Sequence, residues 1–217
     1  MSETVPSTAP VPAAIVVGDD GVARCWWADS APEYRAYHDT EWGFPVADDT
    51  RLFEKLSLEG FQSGLSWLTI LRKRDAFRRA FKGFAPAVVA RFGEREVASL
   101  LTDASIVRHR GKIEAVINNA RRAVELVEAG GSLARYVWQF EPPARMAPLS
   151  RDQLRALTSS AESKALARDL KARGWRFVGP TTVYAFMQAM GLVNDHLAGC
   201  DAHRAVGAAR ARFVPPH

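Results

Sequence analysis

Four residues of the chemical types that bind metals stand at the two ends of the amino-acid sequence. Cys25 and His38 fall near its start, and His196 and Cys200 near its end, the last two at the spacing of one helical turn. Thiolate and imidazole are preferred ligands of zinc, and a site closed by four protein ligands is structural rather than catalytic. An ion shared in this way would tie the ends of the chain together, so the working groups are expected between them. The same spacing is also that of two buried free thiols and two unrelated histidines, because the long gap matches no standard finger pattern.

Between these ends, Glu59 is the acidic residue with the most informative surroundings. Counted from Leu52, Leu56 lies at i+4 and Glu59 at i+7, so the carboxylate projects beside an apolar helical stripe. A glutamate facing an interior requires a partner for its charge, which makes it a candidate functional group. The alternative is a side chain at a helix end that escapes to water, since Gly60 and Gly64 follow. Tyr34, Tyr37, His38, Glu41 and Trp42 form a second cluster, whose first four members recur at three and four and so share one side of a helix. His38 would then ligate while the tyrosines face a cavity, or else the rings pack around a satisfied histidine. Four of the six tryptophans lie between Trp26 and Trp67. Such a density builds either a stacking pocket for a flat ligand or an ordinary core.

A third cluster, Asp103 to Lys112, joins two apolar stripes through a short polar turn. The free N–H groups of a helix start are a natural grip for phosphate. Arg108, Arg110 and Lys112 add attraction without sequence selectivity.

The elements that must position these groups are helices. Asp48 and Asp49 precede Leu52, Phe53 and Leu56 as a cap would. Ile113, Val116, Ile117, Ala120, Val124 and Val127 form the most regular stripe, closed by Gly130-Gly131. Further helices fit Pro86 to Phe92, Glu94 to Thr102, Arg151 to Leu157, Ser160 to Arg173 and Thr181 to Met190. Strand-like alternation is scarce, and the class is all-α. Residues 1–21, rich in Pro, Ala, Ser and Thr, read as a disordered arm. Glu141 to Ser150, with three prolines, reads as a loop, and residues 201–217 as a loosely held tail.

At 217 residues the chain forms one domain or two small lobes, and 47% apolar content gives it a core that needs no disulfide staple. Two cysteines are too few for a secreted scaffold, which favours a reducing cytoplasm. Ala13 to Val17 is too short for a signal core or a membrane span, so no membrane partner is expected. A net charge of +5 suits a polyanionic partner or simply a solvated basic surface.

Six motifs carry a family resemblance: Arg24-Cys25-Trp26-Trp27, Tyr37-His38-Asp39-Thr40-Glu41-Trp42-Gly43, Leu58-Glu59-Gly60, Gly64-Leu65-Ser66-Trp67, Arg108-His109-Arg110-Gly111-Lys112-Ile113 and Gly191-Leu192-Val193-Asn194-Asp195-His196. In this order, from about Arg24 to Cys200, they resemble the type I 3-methyladenine DNA glycosylases. The resemblance implies a helix-hairpin-helix glycosylase fold whose two helical lobes flank a base-binding cleft. It implies one structural zinc on Cys25, His38, His196 and Cys200, tying the N- and C-terminal segments. Residues 22–200 would be the glycosylase domain, with a hairpin lobe at about 73–157 and a zinc-containing lobe from 22–72 plus 158–200.

The resemblance also assigns roles. Glu59 and Tyr37 would be catalytic, with Tyr37 and Trp67 stacking on the base and Tyr34 and Trp27 lining its pocket. Arg108, Arg110, Gly111 and Lys112 would hold double-stranded DNA. Leu65 would be a wedge filling the vacated stack, a role it shares with the alternative of a plain core leucine. The implied reaction flips out 3-methyladenine and hydrolyses its N-glycosidic bond, releasing the free base and leaving an abasic site. The cleft motifs place no lysine as a Schiff-base nucleophile, so a monofunctional enzyme is expected, with monomer the default state. This hairpin lacks the paired-glycine turn usual in other helix-hairpin-helix glycosylases, and the family lacks their usual catalytic aspartate.

Overall fold

The computed structural model describes residues 14–145 and 147–216. In chain order, the strands β1 (Ile15–Val17) and β2 (Ala23–Cys25) precede α1 (Pro32–Thr40), α2 (Asp49–Gln62) and α3 (Trp67–Ala80). Then come α4 (Pro86–Val89), α5 (Glu94–Thr102), α6 (Arg110–Glu128) and α7 (Leu133–Trp138). The chain closes with α8 (Arg151–Ala156), α9 (Ala161–Ala172), α10 (Pro180–Ala189) and α11 (Asp201–Arg212). None of these helices is long and apolar enough to cross a membrane.

Helix α2 is the axis of the fold. Asp48 caps it, its Oδ1 accepting from Arg51 N at 2.8 Å. Asp49 reaches across the fold to cap α7 as well, accepting from the N–H groups of Leu133 and Ala134 at 3.0 and 2.8 Å. Every residue from Leu52 to Phe61 is buried, the pattern of a helix covered on all sides. It packs against α3, α6, α7 and α10. Burying side chains such as Leu52, Phe53, Leu58 and Phe61 contributes about 1.5–3 kcal/mol each. Phe61 opens a stack of rings that continues through Phe77, Phe81 and Phe84, with neighbouring centroids 4.6, 6.4 and 5.3 Å apart.

Several expectations need correction. The chain is mostly helical, yet Ile15–Val17 pairs antiparallel with Ala23–Cys25. The expected disordered arm is therefore a strand and turn over its last residues, while residues 1–13 lie outside the described part. The expected loose tail contains α11, which buries Ala202 and Val206 at i, i+4 spacing and is followed by Phe213 against Trp138, ring centroids 4.5 Å apart. Its small alanines gave a weak apolar period, and the prolines after it suggested a looser segment. Helix α6 starts at Arg110, ahead of Ile113, and its expected stripe member Val127 is 47% exposed. His196 and Cys200 are joined by a turn with Gly199 at φ +83°, not by a helix.

Gly191, the first residue of the last motif, has φ +78°, and a Cβ there would fall 2.4 Å from Pro45 N. Only a glycine lets this segment pass so close to the chain after α1.

Candidate functional site

The short strand pair, α1 and the turn before α11 converge on the four Cys/His residues. Cys25, His38 and His196 have no exposed surface and Cys200 has 4%. Their ligand atoms all lie within 4.8 Å of one another, a group that could hold a metal ion. Sγ of Cys25 is 3.9 Å from His196 Nδ1, and that nitrogen is 3.2 Å from His38 Nε2. Sγ of Cys200 lies 3.5 Å from His38 Nε2 and 3.6 Å from His196 Nδ1.

The outer nitrogens are held by other partners. His38 Nδ1 donates to Asp39 at 2.7 Å, and His196 Nε2 to the Trp42 carbonyl at 2.9 Å. Both rings thus turn their remaining nitrogen inward, the arrangement that orients metal-binding histidines. Arg24, itself buried, forks onto Asp39 and Asp20 and fixes the carboxylate behind His38. The hydrogen bond from Cys25 holds the Cys200 thiol below its ordinary range, whereas hydrogen bonding to Cys200 and burial push the Cys25 thiol up.

Trp27 separates this corner from a second feature. Its ring makes edge contacts with His38, Trp42 and Tyr34 at centroid distances of 5.1, 5.1 and 5.6 Å. On the far side opens a cavity of about 250 Å³ lined by Trp27, Tyr34, Tyr37, Trp42, Glu59, Gln62, Trp67, Ala185 and Gln188. The structure thus brings together all five residues expected to read a flat ligand: Glu59, Tyr37, Tyr34, Trp67 and Trp27. The rings of Tyr37 and Trp67 are 5.5 Å apart and tilted by 46°. Burial, then the charges of Glu59 and Glu41, push the Tyr37 hydroxyl well above its ordinary range, so it is a neutral phenol. Glu41, though on the same helix face in sequence, turns away to a bidentate pair with Arg74 at 2.6 and 2.8 Å.

Gln62, Ala185 and Gln188 of the cavity lining were not singled out from the sequence, and Trp42 was named there without a place in the pocket. Trp42 follows α1 and Gln188 lies within α10, at positions whose inward direction only the packing decides. Gln188 is aimed by Asp195, whose Oδ2 accepts its amide at 2.8 Å and the Tyr184 hydroxyl at 2.7 Å. Lys55 was also missed, since it lies outside the cleft motifs in which no Schiff-base lysine was expected. Its Nζ lies 2.7 Å from Glu59 Oε1 and 2.7 Å from the Tyr37 hydroxyl. The i, i+4 spacing of Lys55 and Glu59 on α2 was the available signal.

A larger concavity, about 660 Å³, lies between the proline-rich loop, the start of α9 and α11. It has neither the ring walls nor a buried carboxylate.

The remaining expected contacts gather at the C-terminal end of α2. The turn Asp103–His109 is braced by Lys73, whose ammonium donates to the carbonyls of Ala104 and Ser105 at 3.2 and 3.0 Å. His109 caps α6, its Nδ1 accepting from Lys112 N at 3.2 Å. Arg108 is exposed, and Arg110 pairs with Glu94 and Glu114 at the surface. Lys112 departs from expectation: its buried ammonium donates to the carbonyls of Phe61 at 2.9 Å and Ser63 at 2.5 Å. Those are orphan acceptors of a helix end, which a cation satisfies. Beyond them, Leu65 is 41% exposed in the turn made by Gly64 at φ +80°. Phe177, 39% exposed at φ +56°, packs near Gly60 and His109. A non-glycine residue held there carries strain of about 1–3 kcal/mol, of the kind found at functional positions.

A model of the Methyladenine glycosylase family matches residues 27–204. The chain is 46% identical over 177 residues to DNA-3-methyladenine glycosylase 1 of Escherichia coli strain K12, covering 82% of this chain and 95% of that protein. It is 42% identical over 180 residues to DNA-3-methyladenine glycosylase of Haemophilus influenzae, covering 82% and 96%. Among solved structures, one of 3-methyladenine DNA glycosylase I aligns with TM-score 0.78 at 48% identity, covering 82% of this chain and 98% of that one. Another, from Staphylococcus aureus, described as showing the structural basis of 3-methyladenine recognition, aligns with TM-score 0.77 at 36% identity, covering 82% and 94%.

Proposed function

The chain belongs to the methyladenine glycosylase family, and we infer from that premise that it excises 3-methyladenine from alkylated DNA, with the aromatic cavity as the seat of the base. The observation that carries the assignment of the cavity is Glu59, a carboxylate only 5% exposed in a wall built mostly of indole and phenol rings.

Methylation at N3 places a positive charge on adenine and weakens its bond to the sugar, so the leaving group needs little protonation. The residues act by selection and by placing charge. Aromatic faces of Tyr37 and Trp67 attract a cationic ring by about 0.5–2 kcal/mol. Glu59 accepts from the exocyclic amino group and favours the charged ring over neutral adenine. Tyr34 and Trp27 close the sides of the pocket and exclude water, which strengthens each of these interactions. Lys55 does not line the cavity and its ammonium is engaged by Glu59 and Tyr37, so the reaction stays monofunctional and leaves an abasic site.

Base flipping is assigned to the end of α2. Leu65, with Phe177 beside the hairpin, supplies apolar surface for the vacated stack. Arg108, Arg110 and the backbone around Gly111 meet phosphate on double-stranded DNA, with Lys112 fixing the turn from behind. The hairpin lobe of residues 73–157 and the lobe of 22–72 plus 158–200 would flank this cleft. Monomer remains the expected state, and work on DNA is in keeping with a cytoplasmic location.

The metal best suited to the Cys/His corner is zinc. Tetrahedral bonds of about 2.0–2.3 Å to nitrogen and sulfur put ligand atoms roughly 3.3–3.8 Å apart. Four of the six separations run from 3.2 to 3.9 Å, and all six lie within 4.8 Å. Bound there, it would cross-link the two ends of the domain and carry the charge of both thiolates. Cys25, His38, His196 and Cys200 fill all four positions, so it serves the fold and not the reaction.

Glu59→Gln tests the reading. The amide oxygen still accepts from Lys55, so the fold is kept, while release of 3-methyladenine from methylated duplex falls about 10²-fold, as for loss of a preorganised charge contact. Undiminished release would remove Glu59 from the site.

A further inference from the structure

Position 55 lies in the middle of the most buried helix of the protein, where every neighbour from Leu52 to Phe61 is covered. An apolar side chain would suit it. A buried ion pair is often no more stabilising than well-packed apolar residues of the same volume, so its presence calls for another reason. The ammonium of Lys55 touches three of the residues that define the cavity. It lies 2.7 Å from Glu59 Oε1, 2.7 Å from the Tyr37 hydroxyl and 3.3 Å from the centroid of the Trp67 ring. It is itself absent from the cavity lining.

We propose that Lys55 is the positioning residue of the base pocket, acting through Glu59: its ammonium fixes that carboxylate against Tyr37 and Trp67 before a base enters. The proposal rests on the reading of Glu59 as a base contact. Carboxylate and rings would otherwise have to be ordered by the incoming nucleotide, and the cost would appear in the reaction rather than in the fold. Burial lowers the pKa of Lys55 and the charge and hydrogen bond of Glu59 oppose that, with Arg74 and Glu41 as the next charges felt. The pair is therefore a mutual one: each charge is tolerated because the other is there.

The test is a double-mutant cycle in single-turnover excision of 3-methyladenine from methylated duplex, with unfolding followed in parallel. Lys55→Met is expected to lower the rate about 10²-fold, the effect of a contact left misplaced. Lys55→Arg, which keeps the cation, recovers most of that loss. In the Glu59→Gln background, Lys55→Met costs nothing further, because the group it positions is already neutral. Should Lys55→Met not fold, Lys55→Gln takes its place in the cycle. A loss from removing Lys55 that is equally large with and without Glu59, or Lys55→Arg no better than Lys55→Met in folded protein, would overturn the proposal. Undiminished turnover by Glu59→Gln alone would instead sink the reading of the pocket on which it rests.

Discussion

The Cys/His corner and the aromatic cavity share the indole of Trp27, yet they handle buried polarity in opposite ways. In the corner, each inward-facing donor atom meets the other three, and each outer nitrogen has its own acceptor, Asp39 or the Trp42 carbonyl. The cavity instead keeps an opening of about 250 Å³ beside a carboxylate whose cation stands to one side. A set of groups that satisfy one another closes space and stabilises. A set that leaves one charge facing a void is ready for a ligand but adds less to stability, because the void has no atoms to pack. Stability and activity should therefore separate when the two regions are altered.

The largest effect is expected at the corner. Cys200→Ser removes one thiolate, and metal content and thermal stability should fall together. A loss of a few kcal/mol lowers the midpoint by about 2–4 °C per kcal/mol in a domain of this size, so the drop should be on the order of 10 °C. Thermal unfolding and metal analysis on the same sample check it. Below the lowered midpoint most of the excision rate should survive, the reverse of Glu59→Gln, which keeps its metal and loses the rate. A metal-free Cys200→Ser with an unchanged midpoint would break the contrast, since the corner would then be an ordinary piece of core.

The same contrast explains what could be read from the chain. Ligand types, the family motifs and the apolar stripes of α2, α5, α9 and α10 are local, and they were legible. Glu59 was legible because a carboxylate at i+7 of an apolar stripe is a local anomaly. Lys55 and Gln188 were not, and Trp42 was seen without its place in the pocket, because their direction depends on how α1, α2 and α10 meet. The carbonyl partners of Lys112 were hidden for a related reason. A lysine in a basic turn resembles a phosphate contact until tertiary packing brings the carbonyls of Phe61 and Ser63 within reach. Helix α11 hid behind small residues and terminal prolines, and the strand at Ile15–Val17 is too short to show a period.

Trp27 sits between the regions, so its loss should blur them. Trp27→Leu gives up edge contacts to His38, Trp42 and Tyr34, each worth about 0.5–1.5 kcal/mol beyond simple burial. A stability loss of about 2 kcal/mol is expected, together with weaker binding of free 3-methyladenine by about tenfold, since one wall of the cavity goes. Chemical denaturation and a fluorescence titration report the two quantities separately. A change in stability with binding untouched would make Trp27 part of the corner alone.

The finest distinction lies at the end of α2, between a cation that faces solvent and one that faces carbonyls. Arg108 is exposed on the hairpin, so Arg108→Ala should release one fewer counterion on duplex binding and reduce the slope of log K against log salt by about 0.9. Lys112→Met should leave that slope unchanged, because its ammonium is already shared by Phe61 and Ser63. Its cost should appear as lost stability of about 1–3 kcal/mol from stranded acceptors, and as a looser Gly64-Leu65 turn. If Lys112→Met flattened the salt dependence as much as Arg108→Ala, the ammonium would have to leave the helix end for phosphate. The turn carrying Leu65 would then be ordered by DNA rather than by the protein.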